Sequence, residues 1–99
     1  MDKIFKALTD VNRRKILTIL KDGEKNVNQI LKFFEIGQAT VSSHLAVLRK
    51  AGLVTVRIQK QLRWYSLNWE SWSSFIRQLN MFADKVEVNS PDEIIIRRK

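Results

Sequence analysis

The chain has no cysteine. Disulfides, thiolate metal ligands, cysteine nucleophiles and thiol redox sensing are therefore excluded from anything it does alone. It has one histidine, His44, so neither a histidine metal pair nor a histidine-based triad can be drawn from several candidates. Three glycines and one proline among 99 residues leave little room for long irregular loops. No apolar run approaches the roughly 20 residues needed to span a bilayer. The first ten residues are a mixed amphipathic start rather than the apolar core of a signal peptide. These absences predict a cytoplasmic protein of one domain with a modest core.

The scarcest local feature is negative charge. Between Glu35 and Glu70 there is no acidic residue, yet the interval holds Arg49, Lys50, Arg57, Lys60 and Arg63. The whole chain carries a net charge of +8. Charge of one sign, segregated in this way, points to a polyanion partner, with nucleic acid ahead of a membrane surface.

What is present is apolar residues at helical spacing. Ile4, Phe5 and Leu8 form a stripe on a short first helix. Thr9 or Asp10 is placed to cap a second helix whose stripe is Ile16, Leu17, Ile19 and Leu20, closed by Asp22-Gly23. Asn26 is placed to cap a third, with Val27, Ile30, Leu31 and Phe34 facing inward. After a link of about Glu35-Ile36-Gly37, a fourth helix starts near Gln38 with Val41, Leu45 and Leu48 inward, and Gly52 sits where a helix C-terminal glycine belongs. Two strands, about 53–58 and 62–67, read as a hairpin. A last helix from Trp69 to about Lys85 carries Trp69, Trp72, Phe75, Ile76, Leu79, Phe82 and Ala83 in period. The expected fold is mainly α with a small β-hairpin, in the order ααααββα. It is a helix-turn-helix followed by a wing over residues 1–85, then a tail, 86–99, with little fixed structure.

A short polar helix beside a basic hairpin suits a duplex. Gln38, Ala39, Thr40, Ser42 and Ser43 lie at the start of the fourth helix, where this motif reads bases; glutamine pairs with adenine and alanine meets a thymine methyl. Taken singly they are also ordinary capping and surface residues. Arg49 and Lys50 at the end of that helix, with Arg57, Lys60, Gln61 and Arg63 on the wing, are the candidates for phosphate contact or minor-groove entry. If Trp64 points inward, alternation puts Arg63 and Tyr65 outward and lets Arg57 and Arg63 share a face. His44 falls at the edge of the core stripe and reads as a half-buried structural group or as a phosphate contact. Arg13 and Arg14 are read as further backbone contacts or as partners of nearby acids.

From Ile4 to Asn68 the chain resembles the ArsR-type winged helix-turn-helix repressors. The marks are Phe5-Lys6-Ala7-Leu8-Thr9-Asp10, Arg13-Arg14-Lys15-Ile16-Leu17, the run from Gln38 to Leu48, Ala51-Gly52-Leu53-Val54 and Tyr65-Ser66-Leu67. The resemblance implies a homodimer joined through the first and last helices, binding to a partly palindromic operator, and repression by promoter occlusion. The subunit contact then falls on Ile4, Phe5, Leu8, Trp69, Trp72, Phe75, Ile76, Leu79 and Phe82, whose apolar surface a small domain hardly covers alone. Departures from the family are Val11 in place of proline, Lys60 in place of a turn glycine, and Gly37 in place of serine. The third-helix segment Gln29–Phe33 has no thiol pair, and the last helix offers only Glu70 and Asp84 as ligands. No metal and no cofactor is expected, which places the chain with the metal-independent members. The reading is a DNA-binding repressor and not an enzyme, since no nucleophile–base pair, phosphate loop or metal cluster is present. A winged helix that binds protein rather than reading DNA is the alternative.

Overall fold

A computed structural model describes residues 1–84 in full and, beyond them, the backbone of 86–90 and 93–96. The chain divides into two compact units, Met1–Trp69 and Glu70–Lys99.

The first unit runs α1 (Asp2–Leu8), α2 (Val11–Ile19), a 3₁₀ turn (Leu20–Asp22), β1 (Lys25–Asn26), α3 (Val27–Leu31), α4 (Gln38–Lys50), β2 (Val54–Gln59) and β3 (Leu62–Leu67). Its core is built from the stripes that periodicity marks. Ile16, Leu20, Ile30, Val41, Leu45, Leu48 and Leu53 are fully buried. Local chemistry sets the helix ends. The Asp10 carboxylate accepts from the backbone N–H of Asn12 and Arg13 and starts α2. Asn26 and Gln29 form a reciprocal capping box at α3. After α4, Gly52 takes φ +80°. Its N–H donates to the Arg49 carbonyl at 2.9 Å, and that of Leu53 donates to Leu48 at 3.0 Å. This Schellman ending turns the chain straight into the wing.

Three successive cations serve this scaffold. Arg13 Nε donates to the Ala7 carbonyl at 2.7 Å and Arg14 Nη1 to the Leu8 carbonyl at 2.7 Å, so both close the C-terminus of α1. Lys15 Nζ donates to the Phe33 carbonyl at 2.6 Å and lies 4.6 Å from the Phe34 ring centroid. Arg13 and Arg14 thus satisfy the helix-end carbonyls that a helix leaves open, rather than pairing with acids. The link between α3 and α4 is longer than expected, residues 32–37. The N–H groups of Phe33 and Phe34 bond three residues back, to Ile30 and Leu31, and tighten the helix end into turns.

The sheet has three strands in the order β1-β3-β2, all antiparallel. The two-residue β1, which no sequence pattern announces, pairs Lys25 with Tyr65 and Asn26 with Trp64. Between β2 and β3, Val54 faces Leu67, Val56 faces Tyr65, Arg57 faces Trp64 and Ile58 faces Arg63. The expected sharing of a face by Arg57 and Arg63 is overturned. Val54, Tyr65 and Leu67 are the buried set, so Tyr65 rather than Trp64 takes the core side. Alternation then puts Arg63 on the Tyr65 face and Arg57 on the opposite one. The wing turn is Lys60-Gln61, at φ +51° and +68°, a mirror-image two-residue turn built without glycine.

In the second unit, α5 continues from Trp69 to Ala83, with the Trp72 and Phe75 rings edge to face at 6.0 Å. Beyond it lies the segment expected to be a tail with little fixed structure. The backbone forms β4 (Val86–Ser90) and β5 (Glu93–Ile96), paired antiparallel. The β-branched residues Val86, Val88 and Ile94–Ile96 favour that pleated backbone. Lys85, Pro91-Asp92 and the terminal Arg97-Arg98-Lys99 lie outside the described residues.

Candidate nucleic-acid interface

The first turns of α4 are exposed because the helix buries one stripe only. Gln38, Ala39, Thr40, Ser42 and Ser43 all stand in solvent. Residues 38, 42, 46 and 49 fall on the flank of α4 turned toward the wing. There Gln38, Ser42, Ala46 and Arg49 join Gln61, Leu62, Arg63 and Tyr65 of the wing to line a groove of about 430 Å³. Asn26, Val27 and Asn28, at the start of α3, close its third side. The structure therefore brings together Gln38, Ser42, Arg49, Gln61 and Arg63 of the predicted set. Ala39, Thr40, Ser43, Lys50, Arg57 and Lys60 do not line this groove. Ala39, Ser43 and Lys50 instead follow the outermost crest of α4 by helical angle. Asn26, Val27, Asn28, Ala46, Leu62 and Tyr65 are the lining residues outside the predicted set, and Val27, expected to face inward, is among them. The capping role of Asn26 gives no hint of the groove; the usable signal is a second asparagine two positions on, at an exposed helix start.

The wing cations divide by partner. The Arg57 guanidinium forms a two-point ion pair with the Glu24 carboxylate, Nε donating at 2.9 Å and Nη2 to the second oxygen. Its third arm donates to Gln59, and the group lies over the Trp64 ring, 5.7 Å from the centroid. The Arg57 hydrogen bond holds the Glu24 carboxyl below the usual carboxylate range, and the same bond raises Arg57 further. Arg49, Lys50, Lys60 and Arg63 enter no ion pair among the described residues, where the pairs are Arg57–Glu24 and His44–Asp10. With no acid from residue 36 to 69, nothing local in sequence neutralises them.

His44 is 13% exposed at its side chain, with Nε2 4.0 Å from Asp10. It ties α4 to the cap of α2, the structural place expected of it. Burial pushes the Asp10 carboxyl up, but the N–H groups of Asn12 and Arg13 and the nearby charges of His44 and Arg13 outweigh it. The net displacement is downward.

A helix-turn-helix whose second helix and wing share one basic, polar-lined groove is a DNA-binding module of the winged kind. Similarity to known proteins places it further. The family description "Bacterial regulatory protein, arsR family" matches residues 10–56. The transcriptional repressor SdpR of Bacillus subtilis is 34% identical over 86% of this chain and 94% of its own length. The arsenical resistance operon repressor of Staphylococcus aureus is 35% identical over 82% of this chain and 78% of its own. Among solved structures, the homodimeric winged helix-turn-helix DNA-binding domain Mb0332 of Mycobacterium bovis superposes with a TM-score of 0.68 at 27% identity, covering 85% of this chain and 78% of that one. The chain belongs to the ArsR family and is a DNA-binding transcriptional regulator.

Among the described residues no three His, Asp or Glu side chains gather as a metal site, and no helix is long and apolar enough to cross a membrane.

Proposed function

We propose that the protein is a cytoplasmic, homodimeric repressor that occupies a partly palindromic operator without a metal cofactor and blocks the promoter beneath it. The observation that carries this reading is the groove in which Gln38, Ser42 and Arg49 of α4 face Gln61 and Arg63 of the wing. A polar helix face beside cations that enter no ion pair among the described residues matches the division of labour on duplex DNA: base edges are read by the helix, and phosphates are neutralised around it. Two-fold symmetry of the operator follows from a dimer presenting two such surfaces. The seam is assigned to α1 and α5, supported by the exposure of Phe5, Trp69, Ile76 and Phe82 and by the homodimeric state of the Mycobacterium bovis relative. Independence from metal is supported by the lack of cysteine and the single histidine. Binding is then the whole activity, with no chemical step.

The test begins with selection of a preferred duplex from random sequence, followed by titration of that duplex and a scrambled one. Gln38→Ala and Ser42→Ala each weaken the selected duplex by about 1–3 kcal/mol where the side chain reads a base, and relax base preference there. Equal weakening of both duplexes would move the reading role away from α4. No salt-dependent duplex binding at all would turn the reading toward a protein-binding winged helix.

A further inference from the structure

Arg57 is the one wing cation with an acidic partner among the described residues, and that partner comes from outside the wing. Glu24 lies 33 positions away, immediately before β1. In the strand order β1-β3-β2, a bond from Glu24 to Arg57 passes over the middle strand, where Trp64 is paired with Asn26 on one side and Arg57 on the other. The guanidinium rests on that indole and also holds Gln59, the last residue before the turn. All of this is on the sheet face opposite Arg63 and Tyr65, and Arg57 does not line the groove beside α4.

We propose that Glu24 is a positioning residue for DNA binding: with Arg57 it forms a clasp across Trp64 that fixes the angle of the wing against α4, and Arg57 is removed from the set of phosphate contacts. The inference rests on the duplex-binding reading above. A hairpin of two six-residue strands extends past the core, and at its tip Ile58, Leu62 and the turn residues are exposed. Only β1, two residues long, borders β3 on its other side. A planar two-point ion pair supplies direction as well as attraction, which a single-point lysine pair does not. Closing the outer strands over the indole limits the twist through which the tip moves, and Gln61 and Arg63 stay over the groove.

The experiment uses the full-length chain, the selected duplex and a scrambled duplex of equal length, titrated at several salt concentrations. The variants are Glu24→Gln, Arg57→Glu and the exchange Glu24→Arg/Arg57→Glu, each checked for folding by thermal melting. The clasp predicts that Glu24→Gln weakens the selected duplex about two- to fivefold, the range of a well-formed exposed ion pair. It also predicts an unchanged salt slope and recovery of most of the affinity in the exchange. Tighter binding by Glu24→Gln with a slope steeper by about one per subunit would mean that Arg57 is a phosphate contact restrained by Glu24, and would overturn the proposal. Failure of the exchange to recover affinity, in a variant that melts like the wild type, would overturn it too. Absence of duplex binding by the wild type would sink the underlying reading instead, so the two failures are distinct.

Discussion

Replacing Arg63 by glutamine tests the partition of cations into those that meet DNA and those that hold the fold. Arg49, Lys50, Lys60 and Arg63 enter no ion pair among the described residues, and they number eight in the proposed dimer. Each phosphate neutralised adds about 0.9 to the slope of log affinity against log salt. Eight phosphates neutralised give a slope near −7, so doubling the salt weakens binding about 150-fold. Arg63→Gln removes two of them per dimer, bringing the slope to about −5.4 and the weakening on doubling to about 40-fold. Lys15→Gln removes the same formal charge, but Lys15 is bound to the Phe33 carbonyl and lies over Phe34. It leaves the slope unchanged and lowers the melting temperature instead. Fluorescence anisotropy of a labelled duplex between about 50 and 200 mM salt resolves a change of this size. Equal flattening by Lys15→Gln and Arg63→Gln would refute the partition, because net charge rather than placement would then set the slope.

Three further outcomes follow from the geometry. Gln61→Gly relieves a left-handed residue at φ +68° and raises stability by about 1 kcal/mol in urea melts; no gain would mean that the wing turn is not held in this conformation in solution. The Asp10 carboxyl, held below its ordinary value, contributes stability above the unfolded carboxylate pKa and loses it as the pH falls through the folded value. The advantage of wild type over Asp10→Asn therefore shrinks on acidification from about pH 5 to below about pH 3, as read by thermal melts. Leu79→Asp or Trp72→Asp places an unpaired carboxylate in the proposed seam and yields a monomer of 11.6 kDa by light scattering; a dimer unchanged by both would move the seam elsewhere.

The elements governed by neighbours along the chain were legible. Asp10 and Asn26 announce helix starts, Gly52 announces an end, and Val41, Leu45 and Leu48 repeat at helical spacing, so α4 and its exposed polar face followed. Features that depend on partners far away in sequence were not. A strand as short as Lys25-Asn26 has no period to detect and exists because β3 offers an unpaired edge. The choice between Trp64 and Tyr65 for the core side is invisible where both are aromatic and adjacent; only the buried pair Val54 and Leu67 decides it. The same blindness hid the separation of Arg57 from Arg63, since nothing local links Arg57 to Glu24. The run Arg13-Arg14-Lys15 advertises charge, yet its work is to close helix ends.

Asn26 has three employments at once. It caps α3, pairs with Trp64 as a strand residue, and lines the groove beside α4. The α3–α4 helix pair and the wing are thus not separable parts joined by a linker. A chimaera that takes its hairpin, residues 54–67, from a relative while keeping residues 24–26 inherits a mismatched seat for the new strand. The unit that can be exchanged between family members without disturbing operator geometry is the hairpin together with the three residues before α3.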